Sequence, residues 1–200
     1  MKKFLLIFLL LALAGCSSRP ALSKAEKELI AASPDVMRVL TVADRKDSLF
    51  LRRTARDFSD RDLRSEEFRT LARKMVRTVT DPSQDGVGIA GPQVGISRRI
   101  VAVQRFDKED EPFEVYANVR IDSLYGPMAY GQEGCLSVPG MRGTVPRWTS
   151  AIISYTDPAT LLTVHDTVSG FTAVIFQHET DHLDGILYTD RTDSVWVRSR

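Results

Sequence analysis

At 200 residues, with 43% hydrophobic and 26% charged side chains, the chain has the composition of one ordinary globular domain, long enough to bury a single core. Lys and Arg number 27 against 26 Asp and Glu, and the formal charge of +1 leaves no net field to draw in a polyanion. No nucleic-acid partner is therefore expected.

Residues 1–15 read as a segment removed before folding. Lys2 and Lys3 form a charged head, Phe4 to Leu13 an apolar run too short to span a bilayer permanently, and Leu13-Ala14-Gly15-Cys16 a small-residue cleavage site. The tetrad resembles a bacterial lipoprotein signal. That implies cleavage before Cys16, a lipid anchor on Cys16 itself, and an exported protein held at a membrane, on its periplasmic side or at the outer membrane. Residues 16–34 are expected to form a tether with a weak helical stretch from Lys24 to Ala32, and residues 35–200 the functional domain. With Cys16 assigned to lipid, Cys135 has no disulfide partner, so it is either packed in a core or held for chemistry.

From Ser65 the apolar residues Phe68, Leu71, Ala72, Met75, Val76 and Val79 recur at helical spacing, with Ser65 as N-cap and Glu66 and Glu67 in the first turn. This predicts a surface helix with one buried stripe, stopped at Asp81-Pro82. A glycine-rich segment, Gly86-Val-Gly-Ile-Ala-Gly-Pro-Gln93, precedes a predicted strand from Arg99 to Gln104. Glu114 to Val119, Thr149 to Tyr155 and Leu161 to Val168 are rich in β-branched and aromatic residues and also read as strands. Thr172 to Leu183 is predicted as the second main helix, and Ser194 to Val197 as a final strand. Strands in the middle and one late helix make an α+β pattern, not alternating βαβ units.

The sharpest chemical signal is His178-Glu179-Thr180-Asp181-His182. Histidines at i and i+4 on a helix project from one face and can grip a single ion, with Glu179 beside it. Several metallopeptidase classes share this pentad and differ in the third ligand. The residues after His182 contain neither histidine nor glutamate, which excludes a downstream glutamate ligand. A metzincin would carry a histidine where this chain has Tyr188, and a phenol with a pKa of about 10 is a poor replacement for neutral imidazole. The upstream alternative is Cys135 in Glu133-Gly-Cys-Leu-Ser137, whose thiolate would complete a Cys-His-His set and be protected by the ion.

The segments Gly86 to Gln93, Glu133 to Ser137 and Gln177 to Gly185, in this order and at this separation, resemble the three signature motifs of peptide deformylases, and the resemblance runs from about Val36 to Arg191. It implies a deformylase-like α+β fold, mixed or antiparallel sheets packed around a central helix bearing the pentad, with a helix on the surface toward the N-terminus. It implies one divalent ion, Fe(II) first, with Zn, Ni or Co suited by the same donors, held by Cys135, His178 and His182 with water in the fourth position. Glu179 would take that water's proton and pass it to the leaving amine, and the Gln93 side-chain amide and Leu136 backbone N–H would stabilise the oxyanion. The substrate implied is an N-formylmethionyl peptide that adds to a strand edge. Val87, Gly88, Ile89, Phe171, Val174 and Ile175 would bind it, with Glu133 pairing Arg147 nearby and Arg142 reaching the peptide backbone. A monomer is expected.

The chain departs from the family pattern at three places. Gly91 stands where a second alanine is usual, which is expected to loosen the loop presenting Gln93. The tail ends in a short strand in place of a long helix. The export signal takes the domain away from the cytoplasm, where nascent chains are deformylated, so exported or released formylated peptides become the expected substrates. Two other readings stay open here: a metzincin-like zinc endopeptidase, and a formyl-peptide-binding protein without turnover.

Overall fold

The computed structural model describes residues 21–84, 86–192 and 194–197, so the expected signal segment and Cys16 lie outside the described residues. Four helices come first: α1 (Lys24–Ala32), α2 (Arg45–Leu51), α3 (Asp60–Leu63) and α4 (Glu66–Val79). Then come β1 (Gly88–Ala90), β2 (Ile100–Gln104), β3 (Phe113–Cys135), β4 (Val138–Thr156), β5 (Thr163–Ser169), α5 (Gly170–Leu183) and β6 (Val195–Val197). The named strands pair antiparallel in the order β1-β2-β3-β4-β5, with β6 joined to β4. The α+β class is as expected, but the described strands form one sheet, and the parallel pairing is an isolated bridge between Arg56 and Arg98.

β2 shows why the sheet is covered on both sides. Ile100 and Ala102 face a core shared with Leu22, Ile30, Phe68, Leu71 and Met75, whereas Val101 and Val103 face a second core with Tyr116, Ala173 and Phe176. The two-residue period of a strand thus sends alternate side chains to α1 and α4 on one side and to α5 on the other. α4 buries its predicted stripe, and the Ser65 hydroxyl accepts from the Phe68 N–H at 3.2 Å as its cap.

Several boundaries differ from the sequence expectations. The strand expected over Glu114 to Val119 continues to Cys135, and the one expected over Thr149 to Tyr155 begins at Val138. Much of this long hairpin is exposed, register shifts interrupt it, and Gly126 turns through a positive φ of 80°, so no apolar alternation marks it. Leu161 belongs to the turn before β5, where its φ is 62°.

The expected tether is docked on the domain from Ala21 onward. Leu22 and Ile30 are buried in the core with α4 and β1, so residues 21–34 pack on the domain and do not hang from it. Glu26 explains the docking. Its carboxylate closes the α1 capping box at Ser23 and receives Arg98 Nε and Nη2 at 2.8 and 2.9 Å, with the arginine side chain 0% and the glutamate 11% exposed. Burial would raise the Glu26 carboxyl, but hydrogen bonds from Arg98 and Ser23 outweigh it and hold it at about 2. Because the folded value lies below the unfolded one, this stabilisation is complete above the ordinary carboxylate range and is lost as pH falls toward about 2. Denaturant melts should therefore show wild type more stable than Glu26→Gln by on the order of 2 kcal/mol near neutrality, with the gap closing between about pH 4.5 and pH 2. A gap that held constant across that range would refute the assignment.

Candidate metal centre

Two elements converge on the site. α5 carries His178 and His182 one turn apart, and the tight reversal between β3 and β4, where Cys135 pairs Val138, delivers Cys135 beneath them. The sulfur and the two imidazoles offer donor atoms that all lie within 4.8 Å of one another, with Cys135 Sγ 3.1 Å from His182 Nε2. Metal–sulfur bonds of about 2.3 Å and metal–nitrogen bonds of about 2.0 Å place tetrahedral ligands at comparable separations. One soft and two borderline donors, with His182 buried and Cys135 and His178 partly so, suit a single divalent transition ion.

The charges around the triad prepare the donors. Glu133 accepts from His178 Nδ1 at 2.8 Å, and since a carboxylate only accepts, that nitrogen carries the proton and Nε2 is left to ligate. Arg147 donates to both Glu133 oxygens at 2.7 and 3.0 Å and to Asp181 at 2.6 Å. Burial would raise Glu133, but His178 and Arg147 together hold it at about 2, hence ionised. Burial also opposes ionisation of Cys135, yet the neighbouring His182 and His178 bring its thiol well below the usual range. His178 is correspondingly raised, against its burial, by Cys135 and Glu133.

Glu179 stands beside the triad on the same helix. Burial pushes its carboxyl up to about 7, and Oε2 has no hydrogen-bond partner among the described residues. A Cβ on Gly88 would lie 2.5 Å from Glu179 Oε1 and 2.7 Å from Ile175 Cγ2, so only glycine lets β1 approach this carboxylate. Gln93 sits in the 3-10 turn Gly91–Val94. Its Oε1 accepts from the Ala90 N–H at 2.8 Å, which turns Nε2 toward Ser137 Oγ at 3.3 Å and Cys135 Sγ at 3.6 Å. A strap crosses behind: the Leu40 N–H donates to the Gln93 carbonyl and the Val42 N–H to that of Ser137, at 2.8 and 2.9 Å. Gly91 does not loosen this turn. A side chain there would meet the carbonyls of Arg98 and Ile96 at 2.7 and 2.8 Å, so the glycine permits tight packing.

A cavity of about 490 Å³ opens over the triad. Val87, Gly88, Gln93, Glu133, Cys135, Leu136, Arg142, Phe171, Val174, Ile175, His178 and Glu179 line it. His182 lies deeper, behind the cavity wall. Ile89 does not line it: strand alternation sends its side chain into the α1/α4 core, leaving only its backbone near the cleft. Phe171, 54% exposed, forms a lip against Phe106. Arg142 reaches the wall with its guanidinium over Gly134. Ser83, Gln84, Gln132 and Met141 also line the cavity, and no local pattern marked them. Asp181, shared by Arg147 and Arg191, was likewise unassigned, although an acid within the pentad was the available signal. Tyr188, at the metzincin ligand position, stacks on His178 with ring centroids 6.2 Å apart and takes no place among the donors.

The family model for polypeptide deformylase matches residues 36–196. The chain belongs to the peptide deformylase family. Among curated deformylases, that of Leptospira biflexa serovar Patoc is 37% identical over 152 residues, covering 72% of this chain and 83% of the relative. The actinonin-bound class I type b deformylase from Acinetobacter baumannii superposes with a TM-score of 0.68 at 35% identity, covering 79% of this chain and 99% of that one. The deformylase from Thermotoga maritima gives 0.68 at 28% identity, covering 79% and 98%. A deformylase of this build should depend on Glu133 for its metal. Glu133→Gln leaves Arg147 half paired and His178 less firmly oriented, and is expected to weaken metal affinity about 10- to 100-fold in a chelator competition. Unchanged affinity would show that the carboxylate is dispensable.

Proposed function

We propose that this chain removes the formyl group from N-formylmethionyl peptides by metal-assisted hydrolysis, releasing formate. The observation that carries the reading is the Cys135, His178 and His182 donor set with the uncommitted Glu179 oxygen beside it. The same three residues would hold the ion, and Fe(II), Zn, Ni and Co all suit a thiolate with two imidazoles, with Fe(II) as the family resemblance implies. A divalent cation held there would supply Lewis acidity toward the formyl carbonyl and toward a water molecule.

The chain's own residues supply the rest. With its carboxyl near 7, Glu179 can take a proton from the attacking water at Oε2 and return it to the leaving amine at neutral pH. Gln93 Nε2, fixed by the Ala90 N–H behind it, donates toward the oxygen that gains charge, joined by the backbone N–H of Leu136. Donors of this kind are worth about 3 kcal/mol each when placed in advance. Val87, Val174, Ile175 and Phe171 present the apolar wall for the methionine side chain, and Arg142 stands where a peptide backbone would pass.

Elemental analysis and formate release together test these roles. Glu179→Ala is expected to retain metal and lose at least about 10²-fold in turnover, whereas Cys135→Ala loses the metal itself. Full activity with equal metal content in both variants would refute the assignment.

The lipoprotein-type segment ending at Cys16 supports a location outside the cytoplasm and a membrane anchor, with exported or released formylated peptides as substrates. No helix among the described residues is long and apolar enough to cross a membrane. Cys16→Ala should abolish metabolic labelling by fatty acid and move the protein to the soluble fraction. A wild-type chain found unlabelled in the cytosol would remove the basis for this location.

A further inference from the structure

The N-terminal segment docked on the domain touches the Gln93 turn through several contacts. Arg98 grips the segment with its side chain, binding the Glu26 carboxylate and donating Nη2 to the Ala21 carbonyl at 2.7 Å. Its main-chain carbonyl and that of Ile96 close over Gly91, leaving no room for a Cβ, and the Ile96 N–H donates to the Gly91 carbonyl at 3.0 Å. Leu29 of α1 rests on Gly95, the left-handed residue that ends the turn, with its Cδ2 3.1 Å from where a Cβ would sit. The same chain continues into the strap whose Leu40 N–H holds the Gln93 carbonyl. The segment therefore reaches the turn directly at its end through Leu29 and at Gln93 through Leu40, and at its start through Arg98, whose backbone packs over Gly91.

We propose that Glu26 and Arg98 are positioning residues for deformylation, holding the N-terminal segment against the residue 91–98 turn so that the Gln93 amide stays aimed at the reacting oxygen. The inference rests on the deformylase reading and on Gln93 as an oxyanion donor. Arg56 and Asp57 also support this stretch, the Arg56 N–H donating to the Ser97 carbonyl and Arg98 Nη1 donating to the Asp57 carbonyl. Loss of the clasp should consequently misplace Gln93 and not unfold the site.

The test is a double-mutant cycle on the full, metal-loaded chain, read by formate release from a formyl-Met peptide. Gln93→Ala is expected to lower kcat about 10²-fold. Glu26→Ala should lower it roughly tenfold through misplacement, with KM and metal content within about twofold of wild type. Glu26→Gln, which keeps a hydrogen bond to Arg98, should recover most of the loss. In the Gln93→Ala background Glu26→Ala should cost no more than about twofold, because the group it positions is gone. Lys24→Ala, on the same helix with its side chain 91% exposed, should leave kcat unchanged.

Losses that multiply in the double variant would overturn the proposal, as would a folded Glu26→Ala with unchanged kcat, or a loss that follows metal content. If Glu26→Ala yields no soluble protein, Leu29→Ala replaces it in the cycle, with the same non-additivity supporting the proposal and independence overturning it. A wild-type enzyme that released no formate would instead strike the deformylase reading, a distinct failure.

Discussion

The Glu133 carboxylate, ionised and buried between Arg147 and His178, is the constraint on which the site depends. It ties the turn of the long hairpin to helix α5 across 45 residues of sequence, and in doing so sets where Cys135 lies relative to both imidazoles. Arg147 extends the tie to Asp181 on the same helix, and Arg191 closes the far side of that acid. Buried ion pairs add little net stability, since desolvation offsets most of their attraction, but removing one partner costs about 3–5 kcal/mol because the other charge is stranded. Here the network contributes direction: it fixes which nitrogen of His178 faces the sulfur and keeps the helix and hairpin in one register.

Around that tie the rest of the molecule serves placement. The sheet is clad on both faces, with α5 on the one and α1 and α4 on the other, so β1 is pinned between two packed layers. That rigidity allows Gly88 to be pressed against Glu179 and Gly91 against the backbone of Ile96 and Arg98. Close-packed interiors transmit small shifts poorly damped, which makes a turn built without slack a precise holder for an amide.

Much of the centre was legible in the sequence because its chemistry is local. The i, i+4 histidines, the adjacent glutamate and the α4 stripe each depend on helical spacing alone, and the lone cysteine had few alternative uses once Cys16 was set aside. What was not legible depends on long-range contact. The outer halves of β3 and β4 are exposed on a twisted, bulged arm, so no alternation betrays them. The short helices α2 and α3 had caps in Asp44 and Ser59, but too few residues for a periodic signal. Ile89 reads like its neighbours in a glycine-rich motif, and only the pleat decides that it points away. The segment before Val36 looked like a polar leash, since Leu22 and Ile30 are sparse apolar marks and the partner that draws Glu26 inward, Arg98, lies 72 residues away.

The early docking of that segment would bear on geometry at a membrane if Cys16 carries the proposed lipid. The first described residues, Ala21 and Leu22, already lie against the domain, and five residue steps from Cys16 to Ala21 can span at most about 18 Å in any conformation. Under the proposed acylation of Cys16, the catalytic body would ride close against the lipid headgroups and sweep a thin layer of solvent. Peptides that partition to that interface would then be met at a high effective concentration, while those diffusing freely in bulk would be met seldom.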